Sequence, residues 1–221
     1  MHPPRLLPRL LPRLLRAALP ALLLVSPTTA RAEPRDRFVN IAMEDQFRSR
    51  RETGALRGDV VVLVYSERHG AERAHELGRR LHIHFHPTAE KAPESEWSRQ
   101  PVAGLPGWPP GVRVPDVHVI PVACLPEVPR ALHPVARSRM RTDSPTVAVW
   151  LDFEDEMNRL FGMAVGEPNV AIIDTFGRLH GVQTGRVDEL EFRELTVTID
   201  RLRLASRSEV RQAGATAPLR R

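Results

Sequence analysis

Residues 60–65, Val-Val-Val-Leu-Val-Tyr, form an unbroken apolar run rich in β-branched side chains. Six residues are too few for a buried helix, and no polar residue alternates as it would on a sheet with one wet face. Such a run is a strand buried on both faces, and a sheet covered on both faces carries helices above and below. The following segments agree. Residues 71–81 place Ala71, Ala74, Leu77 and Leu81 at helical spacing, and residues 117–124 form a second apolar run. Residues 131–140 read as a helix with Leu132, Val135, Ala136 and Met140 on one side and Pro129 near its start. A third strand is predicted at 147–151. Met157, Leu160 and Phe161 make one face of a short helix closed by Gly162. Strands at 170–174 and 179–183 flank Thr175-Phe176-Gly177-Arg178, a hairpin signal. The last helix is predicted over 188–204. Asp188 and Glu191 stand at capping-box spacing there, and Leu190, Leu195, Ile199 and Leu202 face inward. This order predicts an α/β fold with a central mixed sheet flanked by helices. One long interruption, the proline-rich segment 87–115 with Trp108-Pro109-Pro110-Gly111, falls before the second core strand and reads as a surface insertion.

The two ends differ from the body. Residues 1–16 carry four arginines and no acid, in a threefold Pro-Arg-Leu-Leu repeat. The apolar run 17–25 follows, then Ala30-Arg31-Ala32. Basic, apolar and small-residue segments in that order are the export pattern. The apolar run is nine residues long, against about 20 for a membrane span. The expectation is a signal peptide over 1–32, a domain over 33–204, and a flexible basic tail over 205–221. The protein is then periplasmic or secreted after cleavage near Ala32, with no transmembrane segment in the mature chain. The formal charge of the whole chain is +5, but residues 33–200 hold 21 basic and 26 acidic residues. An acidic body is a poor phosphate binder, so nucleic acid is not an expected partner. Cys124 is the single cysteine, so an exported form has no internal disulfide and relies on its core.

Four stretches resemble the thioredoxin-like superfamily, in its redoxin or alkyl hydroperoxide reductase-like branch. Ala55-Leu56-Arg57-Gly58-Asp59-Val60 is similar to the lead into the first core strand, and residues 61–69 to that strand running into the redox motif. Glu167-Pro168 is similar to the cis-proline loop, and Ile173-Asp174-Thr175-Phe176-Gly177-Arg178-Leu179 to the final hairpin. The resemblance implies a thioredoxin-like fold, a cis bond at Pro168, and a groove beside the motif that takes an extended peptide or another exported protein. It also exposes a departure. Where the family carries Trp-Cys-x-x-Cys, this chain has Tyr65-Ser66-Glu67-Arg68-His69. Ser66 and His69 occupy both cysteine positions, and a hydroxyl has no thiolate form near neutral pH. The leading expectation is an exported binding or accessory module without dithiol–disulfide activity, and no catalytic residue is assigned.

Other residues open alternatives. Ser66 is expected to cap the following helix. Cys124 ends the second strand, near the vacant motif. It reads as a small buried hydrophobe. An exposed thiol there would instead make a one-cysteine peroxidase or redox protein. His82, His84 and His86 share one face if extended, whereas His82 and His86 pair one turn apart if helical. Imidazoles suit zinc or copper, so a periplasmic metal binder is the third reading, beside an exposed histidine face that needs no cofactor. Asp152-Phe153-Glu154-Asp155-Glu156 reads as a solvated turn entering a helix.

Overall fold

The computed structural model describes residues 37–216, with side chains to residue 207. The expected signal segment 1–32 lies outside them. One mixed sheet of seven strands runs in the order β2-β1-β5-β4-β3-β6-β7. Its strands are β1 (Ala42–Asp45), β2 (Arg50–Glu52), β3 (Val60–Ser66), β4 (Val117–Cys124), β5 (Trp150–Asp152), β6 (Asn169–Ile173) and β7 (Leu179–Thr184). The helices are α1 (Ala71–Phe85), α2 (His133–Asp143), α3 (Glu156–Phe161) and α4 (Glu189–Thr216). β3 pairs parallel with β4 and antiparallel with β6, which pairs antiparallel with β7. α1 connects the two parallel strands, and α4 follows the hairpin. That βαβ unit joined to a ββα unit, with β4-β3-β6-β7 side by side, is the thioredoxin-like fold the sequence resembles.

β3 explains the architecture. All seven of its residues are buried. Val61, Leu63 and Tyr65 enter a core layer with Ile41, Ile120, Cys124 and Met157. Val60, Val62 and Val64 enter a second layer with Leu77, Leu81 and Phe85 of α1 and Leu195 and Ile199 of α4. Alternation along one strand thus feeds two cores, each buried side chain contributing about 2 kcal/mol.

Several expectations change. β1 and β2 were not predicted, and β2 is exposed throughout. α1 continues to Phe85, because Phe85 extends the buried stripe of Ala74, Leu77 and Leu81. α2 starts at His133 and buries nothing. Of the residues placed on one side, Leu132 and Val135 are 51% and 62% exposed, while Ala136 and Met140 are half-buried. Polar contacts hold α2 instead: Arg137 donates to the Asp45 carbonyl and pairs with Glu44, and Arg141 donates to the Gln46 carbonyl. The capping box is formed, with Asp188 N donating to Glu191 Oε2 and Glu191 N donating to Asp188 Oδ1. Leu190, in that exposed first turn, is 61% exposed rather than inward. α4 runs on to Thr216, so the expected flexible tail begins as helix. Ser206 is buried there, and Arg207 donates to the Gly107 carbonyl. The insertion has short 3-10 turns at Pro87–Lys91 and Glu94–Arg99. Among the described residues, no helix is long and apolar enough to cross a membrane.

Candidate functional site

β3 delivers Ser66 to the C-terminal end of an interior strand, and a 3-10 turn, Arg68–Gly70, leads into α1. The turn is capped by Glu67, not Ser66. Glu67 Oε2 accepts from His69 N at 2.6 Å and lies 2.9 Å from His69 Nδ1. Its other oxygen accepts from Gly166 N at 2.7 Å, on the loop before Pro168. One carboxylate therefore ties the motif to the proline loop. Burial opposes its charge, but the hydrogen bonds from His69 and Gly166 outweigh that and hold it below the usual glutamate range. Ser66 is buried, while the His69 side chain is 80% exposed. Sequence reading placed Glu67 in the motif but gave it no role of its own. The available signal was an acid two residues ahead of a backbone N–H at a helix entry.

Gly70 lets the two segments meet. A Cβ there would stand 2.7 Å from the Glu167 carbonyl oxygen and 3.0 Å from Glu167 N. The loop closes on itself as well. Asn169, fully buried, accepts from Ala164 N and donates to the carbonyls of Ala164 and Glu167. Glu167 N donates to the Ala164 carbonyl, and Glu167 Oε1 pairs with Arg73 at 2.7 Å. Every peptide bond among the described residues is trans. The cis bond expected at Pro168 is thus corrected: Asn169 and Glu67 fix this loop with the ordinary trans peptide, which X-Pro bonds favour by about 0.5–1 kcal/mol.

Cys124 does lie beside the motif, since Ala123 pairs with Ser66 and Cys124 with Asp152. It is 3% exposed. Burial first, then the charges of Asp152, Asp155 and Glu67, push the thiol up to about 12. A closed, protonated thiol cannot serve as the nucleophile of a one-cysteine peroxidase at neutral pH. Next to it, Tyr65 donates to the Gly162 carbonyl at 2.6 Å, and burial raises its pKa. Asp152 is buried rather than solvated. Its oxygens accept from the N–H groups of Glu154, Glu156 and Met157, which is how α3 begins.

The three histidines are not brought together. His82 and His84 stand on the last turn of α1, and His86 caps its C-terminus. His82 and His86 stack at 4.4 Å between ring centroids, and His82 also stacks on Trp97. His84 lies edge-on to Phe85 and Phe192. Both nitrogens of His86 face protein oxygens, the His82 carbonyl at 3.2 Å and Asp116 Oδ1 at 2.8 Å. No three of His, Cys, Asp and Glu gather as a metal site among the described residues. The helical geometry that continues through His82 and His84 is the reason, because it turns their side chains to different neighbours.

Fold and site together define a thioredoxin-like domain without a Cys-x-x-Cys pair. No family model and no curated protein matches the chain. Solved structures do. A secreted thiol-disulfide isomerase from Corynebacterium glutamicum is 13% identical, over 80% of this chain and 95% of that one, with a TM-score of 0.48. The exposed lipoprotein thioredoxin of Streptococcus pneumoniae is 13% identical over 74% and 99%, TM-score 0.47. The thioredoxin domain of a thiol-disulfide oxidoreductase from Bacteroides vulgatus is 10% identical over 76% and 98%, TM-score 0.45. The assignment of the fold stands on the strand order itself.

Proposed function

We propose that this chain is an exported thioredoxin-fold binding or accessory module without dithiol–disulfide activity. The observation that carries the reading is the Glu67 bridge. Where the family resemblance places two thiols, a carboxylate holds His69 on one side and Gly166 on the other. A negative charge fixed there disfavours a thiolate, and the remaining thiol is buried. Export rests on the basic, apolar and small-residue order of residues 1–32.

The partner would be an extended peptide or another exported protein, met at the edge formed by the motif and the proline loop. The backbone of Glu167 already has internal partners. A peptide there would be held by exposed side chains such as Arg68, His69 and Val165 rather than by added strand pairing.

The test is insulin-disulfide reduction by the purified chain 33–221 with an external reductant. No acceleration over reductant alone is expected, and substantial catalysis would overturn the reading. Shift perturbation with a panel of extended peptides would check the edge. Perturbations confined to residues 66–69 and 164–168 are expected, and a response centred elsewhere would remove this edge as the recognition surface.

A further inference from the structure

α4 carries two apolar faces. Its inner face, Leu195 and Ile199 with Phe192 and Leu202 beside them, joins Val60, Val62 and Val64 of β3 in one core layer. One such face is all that a helix lying on a sheet needs. On the outer side, Leu190, Val197 and Leu204 are 61%, 44% and 40% exposed. They stand seven positions apart. Seven residues are close to two helical turns, so the three side chains form one line along the helix that drifts by only about 20° per step. Single exposed apolar residues are ordinary on a surface, whereas a line of them at heptad spacing is the kind of seam along which helices pair.

Charges border this line on both edges. Glu194 and Arg201 lie on one edge, three residues before Val197 and four after it. Arg193 and Asp200 lie on the other, four before and three after. Arg193, Glu194 and Arg201 are exposed, and none of them has an ion-pair partner among the described residues. Asp200 is half-buried and pairs with Arg203 of its own helix at 2.8 Å. Each edge thus holds one acid and one base at nearly equal distances from Val197, and the order of the signs is opposite on the two edges.

We propose that this face of α4 pairs with the same face of a second copy of the chain, antiparallel, about a two-fold axis at the level of Val197. The symmetry places Leu190 opposite the partner's Leu204 and Val197 opposite the partner's Val197. It also sets each edge against itself. Glu194 then comes level with the partner's Arg201, and Arg193 with the partner's Asp200, each to within about 1.5 Å along the helix. The charge pattern is its own complement, which is why the occupant is a second copy and not a protein of another sequence. Antiparallel helices also set their dipoles favourably. One helix per copy makes an interface below the standard size, so association is weak and depends on concentration. The face shares no residue with 66–69 or 164–168, so it is separate from the proposed peptide edge.

Sedimentation equilibrium of the chain 33–221 from about 10 µM to about 1 mM covers the affinity range of such an interface. The mass should rise from monomer toward dimer across it. Val197→Glu puts two like charges on the axis and should weaken dimerisation by about a hundredfold. Its melting at the lowest concentration should match the wild type, because the side chain lies outside the core. Glu194→Arg and Arg201→Glu should each weaken the dimer about tenfold, and the double exchange should restore it, because the pair reforms with its signs reversed. The exchange also decides the orientation. In a parallel pair Glu194 would meet the partner's Arg193, and the double exchange would stay as weak as the single ones. A monomer at every concentration, a dimer indifferent to Val197→Glu, or a double exchange without rescue would overturn the proposal.

Discussion

Glu67 and Gly70 act on opposite sides of one seam. Glu67 pulls the proline loop toward the motif through Gly166 N, and Gly70 leaves the space in which Glu167 can come close. Gly70→Ala would drive a methyl group into the Glu167 backbone, where no flexible side chain can yield. A loss of about 1–3 kcal/mol is expected from such overpacking, read by thermal melting. Glu67→Gln tests the electrostatic half. The folded-state pKa of Glu67 is depressed, so its stabilisation is present above the free glutamate value of about 4.3 and is lost as pH falls through the lower folded value. The melting temperatures of wild type and Glu67→Gln should therefore converge as the solution is made more acid. A gap that stays constant would mean that the side chain acts by shape alone. Cys124 gives a third residue-level outcome. A thiol reagent should modify the native protein only on the timescale of opening and the denatured protein at once. The family resemblance alone gives Ser66 and His69 as replaced cysteine positions. The use made of Glu67 was not legible in the sequence, because its second partner, Gly166, is 99 positions away.

At the scale of elements, what the sequence revealed was what hydrophobic period encodes. β3, β4 and β6 are apolar runs, β7 was marked by the hairpin signal before it, and the stripes of α1 and α4 carry buried residues at helical spacing. Elements held by polar contacts were invisible or misplaced. β1 has the sequence Ala-Met-Glu-Asp and β2 Arg-Arg-Glu, with no strand-like alternation of their own. α2 was located, but its apolar side does not bury it, because arginines and not leucines attach it. Gln46 shows how that region is fixed. It is fully buried, donates to the carbonyls of Ser144 and Val147, and accepts from Val149 N. The turn after β1 is thereby bound to the connection between α2 and β5. Gln46→Ala would leave two half-buried backbone groups, the Ser144 carbonyl and Val149 N, without this partner, while the Val147 carbonyl keeps the Ser144 hydroxyl. The expected cost is about 2 kcal/mol at roughly 1 kcal/mol each, with increased amide exchange in α2 and little change in β3. Uniform loss of protection across the sheet would show that α2 is not separately anchored.

At the scale of the whole molecule, the insertion is part of the fold because α4 reaches it. Arg203 is 1% exposed. Its Nε donates to the Pro115 carbonyl, its Nη2 to the Ala103 carbonyl, and its Nη1 pairs with Asp200. A planar guanidinium serves three directions at once, and lysine cannot reproduce that fork. Arg203→Lys should cost about 3 kcal/mol, since two buried carbonyls lose charged donors, and lower the melting temperature by roughly 10 °C for a domain of this size. The loss should couple to that of His86. Arg203 grips the insertion at Ala103 and Pro115, and His86 grips its neck at Asp116, so both act on the same segment. Once either grip is gone the segment is already loose, and removing the other has less ordered structure to disturb. A cycle of Arg203→Lys, His86→Gln and the double variant should show a double loss smaller than the sum by about 1 kcal/mol. Strict additivity there, with both single variants destabilised, would mean that residues 87–115 do not move as one unit.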